Sequence, residues 1–253
     1  MKKLSLVVFI LLACVSNADA LLVGFWDLNE GEGVVANDSS GFNNQGNVNP
    51  LLNWVPGKYG SALQFNGNPD AFVTIPDSSS LHLQNSFTIM TWAKPDTSST
   101  LKAVLSKYTA GQPVTFLLRQ NQFDNGLWEA TLDTQNGTSH YILLSNSPIQ
   151  VDAWQHLAAT YDGNMFQFYM NGVLQSSLPV TGILDLGSDP VIIGGQGKGV
   201  GDSNPFNGVI DEVRMYDHAL LGDEIIRDMN FDSNVIPEPA TMLLFGTGLI
   251  QTC

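Results

Sequence analysis

The sequence predicts an all-β protein built as an antiparallel two-sheet sandwich, with one short helix near the C-terminus. Three observations lead there. Short runs of β-branched and aromatic residues alternate with Gly, Asn, Asp and Pro clusters along a chain that carries 24 Gly and 12 Pro. Asp162-Gly163 and Asn171-Gly172 stand between apolar runs, and such dipeptides tolerate the positive φ that tight hairpins need. Helical spacing of apolar residues occurs in one place, at Leu220, Leu221, Ile225, Ile226 and Met229. The chain length of 253 residues suits a single large sandwich, which spans roughly 200–250 residues.

The elements follow in order. Phe87–Ala93 is rich in strand formers and ends at Pro95, and Val114–Arg119, Leu127–Leu132 and Thr138–Leu144 have the same character. Trp154–Tyr161 leads into Asp162-Gly163-Asn164, Met165–Met170 leads into Asn171-Gly172, and a further run begins at Val173. Residues 154–177 are therefore expected to form three consecutive antiparallel strands joined by type I′ turns. The helix is expected to cap one end of the sandwich. Trp26, Phe65, Phe87, Trp92, Trp154 and Phe168 are the large side chains available to fill two inner faces about 10 Å apart. Gly60, Gly67 and Gly208 suit turns or close backbone approaches, and His156 reads as a core or cross-strand residue. The glycines of Gly194–Gly201 alternate and match neither a dinucleotide fingerprint nor a P-loop, so this stretch reads as a surface loop.

Charge narrows the function. Ten Lys and Arg against 24 Asp and Glu give a formal charge of −14, which argues against a nucleic-acid backbone as partner. At 43% hydrophobic and 13% charged, the chain is too apolar for a disordered acidic tail. Part of that apolar content lies at the ends. Met1–Ala20 reads as a signal peptide: Lys2-Lys3, an apolar stretch Leu4–Val15, and Ala18-Asp19-Ala20 as cleavage site. Its removal takes away two lysines and one aspartate, so the charge moves from −14 to −15. Leu11-Leu12-Ala13-Cys14 is close to a lipobox, which makes Cys14 a candidate for lipidation. The other cysteine is Cys253, so the domain at 21–235 has no disulfide and must be held by packing or by a bound ion. Ile236-Pro237-Glu238-Pro239, followed by the apolar Ala240–Ile250, resembles a PEP-CTERM sorting signal of Gram-negative bacteria. That resemblance implies processing by an exosortase. Ala240–Ile250 reaches only about 16 Å as helix, and Gln251-Thr252-Cys253 supplies no basic stop, so the segment at 236–253 reads as a truncated or degenerate form of the pattern.

Between the ends, a series of motifs falls in a recognisable order. Phe25–Gly31 and Asp38-Ser39-Ser40-Gly41 open it, followed by Gly57–Gly67, Phe72–Pro76 and Phe87–Trp92. Trp154–Gly163, Tyr169–Gly172, Phe206–Tyr216, Ala219-Leu220 and Glu224-Ile225 complete it. Together they resemble the LamG-like jelly-roll family of the concanavalin A-like superfamily, from about Leu22 to Ile226. The resemblance implies a jelly-roll sandwich of two curved antiparallel sheets. It also implies a structural Ca²⁺ near the first and last strands, with Asp211 as carboxylate ligand. Asn66, Gly67 and the neighbourhood of Asp27 would add further oxygens.

Some members of that superfamily are enzymes with an E-x-D-x-x-E strand, whose alternation places the first two acids on one face. The acids here do not match. Glu129 is followed by Asp133 with no third acid at the required step, Glu30 and Glu32 are interleaved with glycines, and Asp211 and Glu212 should point to opposite faces. G-x-S-x-G, H-E-x-x-H and C-x-x-C are all missing from the sequence, and His82, His140, His156 and His218 are scattered. The expectation is an exported, non-catalytic binding protein, located in the periplasm, on the cell surface or outside a Gram-negative cell. Its expected partner is a polysaccharide or a surface protein. The competing readings are a glycan-cleaving enzyme with an atypical acid arrangement and a structural surface protein without a specific ligand. Trp128, His140 and Tyr141 are the candidate ligand-binding residues, since the family motifs do not require them, with Gln120 and Asn125 as hydrogen-bonding neighbours.

Overall fold

The computed structural model describes residues 20–98, 100–108, 113–121, 126–135, 140–184, 187–197 and 204–232. The predicted signal peptide up to Asp19, Cys14 and the C-terminal segment from 233 onward lie outside the described residues, as do Asn125 and residues 198–203 of the glycine-rich stretch.

In chain order the strands are β1 (Leu22–Trp26), β2 (Val35–Ala36), β3 (Gly46–Val48), β4 (Asn53–Pro56), β5 (Ser61–Asn66), β6 (Val73–Ile75), β7 (Phe87–Pro95) and β8 (Lys102–Lys107). They continue with β9 (Phe116–Asn121), β10 (Leu127–Asp133), β11 (His140–Pro148), β12 (Gln155–Tyr161), β13 (Met165–Met170), β14 (Val173–Pro179), β15 (Val191–Ile193) and β16 (Asn207–Tyr216). The helix α1 is Gly222–Met229. Two eight-stranded antiparallel sheets result. The first runs β14-β13-β12-β7-β16-β5-β4, with β1 also on β16, and the second runs β11-β10-β9-β8-β15-β6-β3-β2. One continuous apolar core lies between them, and Trp26, Phe65, Phe87, Trp128 and Phe168 are all fully buried in it.

The expected hairpin series at 154–177 is present as β12, β13 and β14. Asn171 and Gly172 both have positive φ, 51° and 76°, as a type I′ turn requires. The Asp162-Gly163 turn differs from expectation, because only Gly163 is left-handed. Asp162 Oδ1 accepts the amides of Asn164 and Met165 instead, which makes it an Asx-type turn.

The helix does not cap the end of the sandwich. It lies on the outer face of the first sheet, where Ile225 packs with Met90, Ala158, Tyr169, Tyr216 and Leu220. Its first turn is closed by Glu224 Oε2, which accepts the Leu221 amide at 2.7 Å. Its last carbonyl, Met229 O, is held by Trp92 Nε1 on β7 and by Tyr59 Oη in the β4–β5 turn, at 3.1 and 3.2 Å. This explains why Trp92 is not in the inter-sheet core as expected. Along β7 the core takes Phe87, Ile89 and Ala93, so alternation sends Met90 and Trp92 outward, beneath the helix. Trp154 is also outside the core, half-buried ahead of β12 with the Lys94 ammonium 5.8 Å from its ring centroid. His156 is buried as expected, edge-on to Trp92 with ring centroids 5.2 Å apart. Burial drives its pKa down to about 3, so it packs as a neutral ring.

Candidate functional site

The outer face of the second sheet is built by register. Asn47 stands opposite Thr74, then Ile192, Ser106, Leu117, Thr131 and Ile142 follow across seven strands. Six inter-strand spacings make this row about 29 Å long. Its middle is closed over, since Ile192, Ser106, Leu117 and Thr131 are at most 2% exposed. Its ends are open, at Asn47 and Thr74 on one side and at Ile142, which is 43% exposed, on the other.

Glu129 is the acid of this face, and it is fully buried. Arg119, its cross-strand neighbour on β9, donates to Oε1 through Nε at 2.7 Å and through a terminal guanidinium nitrogen at 2.7 Å. The Thr131 hydroxyl donates to the same oxygen at 2.7 Å, and the Asn121 amide donates to Oε2. Three side chains therefore donate to the one carboxylate. The next acid on the strand is Asp133, four residues on and about 13 Å away, beyond the separation of either glycosidase carboxylate pair. Asp133 is itself engaged, accepting the Val114 amide at 2.8 Å and pairing with His140 Nδ1 at 2.7 Å. That hydrogen bond raises the His140 pKa above its ordinary value.

The structure separates the residues predicted to bind ligand. Trp128 does not face a groove. It is fully buried between the sheets, its Nε1 donating to Gln155 Oε1 at 3.1 Å. Gln120 is also fully buried, its amide donating to Thr97 O at 2.8 Å, so it is no loop residue. Tyr141 packs half-buried against the core. Of the four candidates among the described residues, His140 is the one exposed on the outer face, at the β11 edge. The site signal missed in the sequence is Arg119, whose pairing with Glu129 depends on the register of β9 on β10.

Of the predicted calcium ligands, Asp27 lies within electrostatic reach of Asp211, while Asn66 and Gly67 stand apart from it. Asn66 and Gly67 lie where β5 meets the start of β16, opposite Asn207, and Asp211 is four residues further along, about 13 Å away. Asn66 Oδ1 accepts the Asn68 amide, and the Gly67 amide donates to Phe206 O. Asp27 Oδ2 accepts the Ser39 hydroxyl at 3.3 Å. Asp211 sits under the turn at Gly57, its Oδ2 accepting the amides of Lys58 and Tyr59 at 2.8 and 3.1 Å. Its Oδ1 is buried and lacks a hydrogen-bond partner of ordinary geometry among the described residues. The place where Gly57 lacks a Cβ is ringed by Asp211 Oδ2, Ser61 O and Tyr59 O, each 2.6–2.7 Å from it. A carboxylate beside two carbonyls is a donor set suited to a hard cation. Among the described residues no group of three or more Asp, Glu, His or Cys could hold a metal.

Asp211 and Glu212 do not point apart as expected. A β-bulge falls between Asp211 and Arg214, with Glu212 at φ 55°. Both carboxyls then lie within electrostatic reach of each other and of Asp27. Burial raises Asp211 to about 7, against the amides of Tyr59 and Lys58. It raises Glu212 to about 8, against the neighbouring Arg214 guanidinium.

No curated protein matches the chain. Among solved structures it is similar to domain 4 of a GH43 extracellular arabinanase from Geobacillus stearothermophilus, in complex with arabinotriose. The TM-score is 0.67 at 21% identity, over 83% of this chain and 98% of that one. It is also similar to the binding domain of Paraclostridial Mosquitocidal Protein 1, with a TM-score of 0.67 at 17% identity over 83% of this chain and 52% of that one. A third is the binding domain of botulinum neurotoxin DC in complex with rat synaptotagmin II, with a TM-score of 0.64 at 14% identity over 83% and 51%. This chain thus spans about half the length of the two toxin chains, and at these identities the likeness is one of fold. The family model described as the concanavalin A-like lectin/glucanases superfamily matches residues 66–226, more than half of the sequence. With that match and two antiparallel sheets packed face to face, the chain belongs to the concanavalin A-like lectin/glucanase superfamily.

Proposed function

We propose that this is an exported, non-catalytic binding protein that recognises a polysaccharide or a surface protein through the outer face of its second sheet. The observation that carries the reading is the state of Glu129: fully buried, with Arg119, Thr131 and Asn121 all donating to it. An acid held this way keeps its face rigid, and the next acid among the described residues of its strand, Asp133, stands too far away to work with it. Fold relatives whose structures contain arabinotriose or synaptotagmin II support a carbohydrate or protein partner. Export through Met1–Ala20, lipidation at Cys14 as the alternative, and exosortase handling of 236–253 complete the proposal on sequence grounds. The test is retention of the full chain on a polysaccharide panel, with reducing sugar assayed in the same samples. Retention without release is expected. Release of reducing sugar that Glu129→Gln abolishes would establish the glycan-cleaving reading instead.

Asp211 Oδ1 favours one addition, a structural Ca²⁺ held by Asp211 with nearby carbonyls. Calcium at about a hundredfold its Kd stabilises the folded state by about 2.7 kcal/mol, or about 5–10 °C in Tm for a domain of this size. Protons compete for the same carboxylate. The folded-state pKa of about 7 lies above the unfolded value, so stability from this group is present at low pH and is lost as pH rises through about 7. The calcium-induced rise in Tm is therefore expected at pH 8 and largely absent at pH 5. A Tm indifferent to calcium and chelator at pH 8 removes the ion from the reading.

A further inference from the structure

We propose that the cleft around Phe72, at the open β3–β6 end of the second sheet's outer face, is a subsite for a neutral sugar unit of a polysaccharide. The proposal rests on the binding function above and gives it a place and a ligand class. The cleft measures about 440 Å³, within the range of small-molecule sites, and is lined by Asn47, Asn49, Pro50, Asp70, Phe72 and Thr74.

Strand alternation puts Phe72 here. Val73 and Ile75 enter the core, so Phe72 and Thr74 face outward, and Phe72 is half-buried there, outside the core. The C–H groups on one face of a pyranose or furanose carry partial positive charge. They suit the electron-rich face of an aromatic ring.

The polar groups around the ring divide into two kinds. Asn49 is engaged: its Nδ2 donates to Asp70 O at 2.8 Å and its Oδ1 accepts the Leu51 amide at 2.9 Å. Its own amide donates to Phe72 O at 3.3 Å, and Asn68 Oδ1 accepts the Asp70 amide at 2.9 Å. These bonds fix both walls of the cleft before any ligand arrives, which lowers the ordering cost of binding. The side chains of Asn47, Asp70 and Thr74 are the other kind. Among the described residues none of the three makes a side-chain hydrogen bond or ion pair. An amide, a carboxylate and a hydroxyl beside one aromatic face can donate to and accept from vicinal hydroxyls.

The contrast along the face locates the ligand end. The Arg119–Glu129–Thr131–Asn121 cluster satisfies itself and is buried, whereas the polar side chains at Phe72 are left to the solvent or a ligand. Charge sets the class. Among the described residues no Lys, Arg or His lines the cleft, Asp70 does, and the chain carries −14 overall. A uronate or sulfated sugar would meet like charge, and a neutral one would not.

The test is affinity electrophoresis of the full chain in gels containing arabinan, laminarin, xylan, galactomannan, polygalacturonate or alginate. At least one neutral polymer is expected to retard the wild type, and neither acidic polymer. Phe72→Ala should weaken that retardation about tenfold, Asp70→Asn should weaken it several-fold, and Phe72→Tyr should preserve it, all with Tm held. Undiminished retardation of Phe72→Ala overturns the subsite and leaves the binding function standing. Retardation only by the acidic polymers overturns the ligand class. If no polymer retards the wild type, or only a protein captures it, the glycan reading and the subsite fall together. Should Phe72→Ala lose its fold, Phe72→Leu, which keeps the apolar bulk without the ring, decides the same question.

Discussion

Trp128→Ala is expected to destabilise the protein by about 3–5 kcal/mol, while glycan retention by the folded variant stays at the wild-type level. The side chain is fully buried on β10, facing the first sheet across the core. Truncation removes the largest apolar surface of that strand and leaves a cavity that rigid sheets on both sides cannot close. It also removes a bond between the sheets, because Trp128 Nε1 donates to Gln155 Oε1 on β12 at 3.1 Å. Gln155 would not be fully orphaned, since its Oε1 also accepts the Gln150 amide at 3.1 Å and its Nε2 donates to Gln150 O at 2.8 Å. Trp128→Phe keeps most of the volume and loses only that bond, so about 1–2 kcal/mol is expected. Urea unfolding measures both, with the midpoint shifted and the slope unchanged. A Trp128→Ala variant as stable as wild type but unable to bind glycan would return Trp128 to the ligand site.

The hairpins were legible because their information is local. Asn171-Gly172 needs two left-handed residues in a row, and few other dipeptides supply them cheaply. The helix period was equally legible, but its destination was not. A hydrophobic stripe states that Ile225 must be covered and says nothing of which surface covers it. Here the receiving surface is a sheet face, and that erased the usual strand signal as well. β7 is buried on both sides for most of its length, so Trp92 outward and Phe87 inward look alike in sequence.

Register hides the rest. Glu129 and Asp133 were visible as acids on one strand face, and their spacing alone argued against a glycosidase pair. The partner that makes Glu129 structural, Arg119, comes from another strand ten residues earlier, and a shift of one residue would turn it to the core. The bulge at Asp211–Glu212 is a similar case. Regular alternation separates adjacent acids, and one extra residue in the ladder brings them together. In the sequence Phe72 stands out only as part of the Phe72–Pro76 motif. Its neighbours Asn47, Asn49 and Asp70 come from other segments, so no spacing rule could have assembled the cleft.

Arg214→Met is expected to cost about 3–5 kcal/mol, because it strips the cation from a buried pair and leaves the acid behind. Arg214 is 2% exposed and donates to Glu212, which is 1% exposed. The same guanidinium donates to Asp228 O at 2.7 Å and to Phe231 O at 3.2 Å, beyond the helix, and lies 4.4 Å from the Phe25 ring centroid. It therefore fastens α1 to the sheet as well as neutralising the bulge. Without it, Glu212 loses the charge that lowers its pKa while Asp211, Asp27 and Asp232 still raise it, so its folded-state pKa moves further above the wild-type value of about 8. A raised folded-state pKa gives stability that is present at low pH and lost as pH rises, so the deficit of the variant must grow between pH 6 and pH 9. Glu212→Gln in the Arg214→Met background should recover part of the loss and flatten that dependence, which a double-mutant cycle reads as coupling. The recovery is bounded, because a glutamine relieves the charge and cannot replace the hydrogen bonds that hold Asp228 O and Phe231 O. A loss below about 1 kcal/mol, or a deficit that shrinks as pH rises, would mean that the arginine does not stabilise the Glu212 carboxylate and that helix packing on Met90, Ala158 and Tyr169 suffices without it.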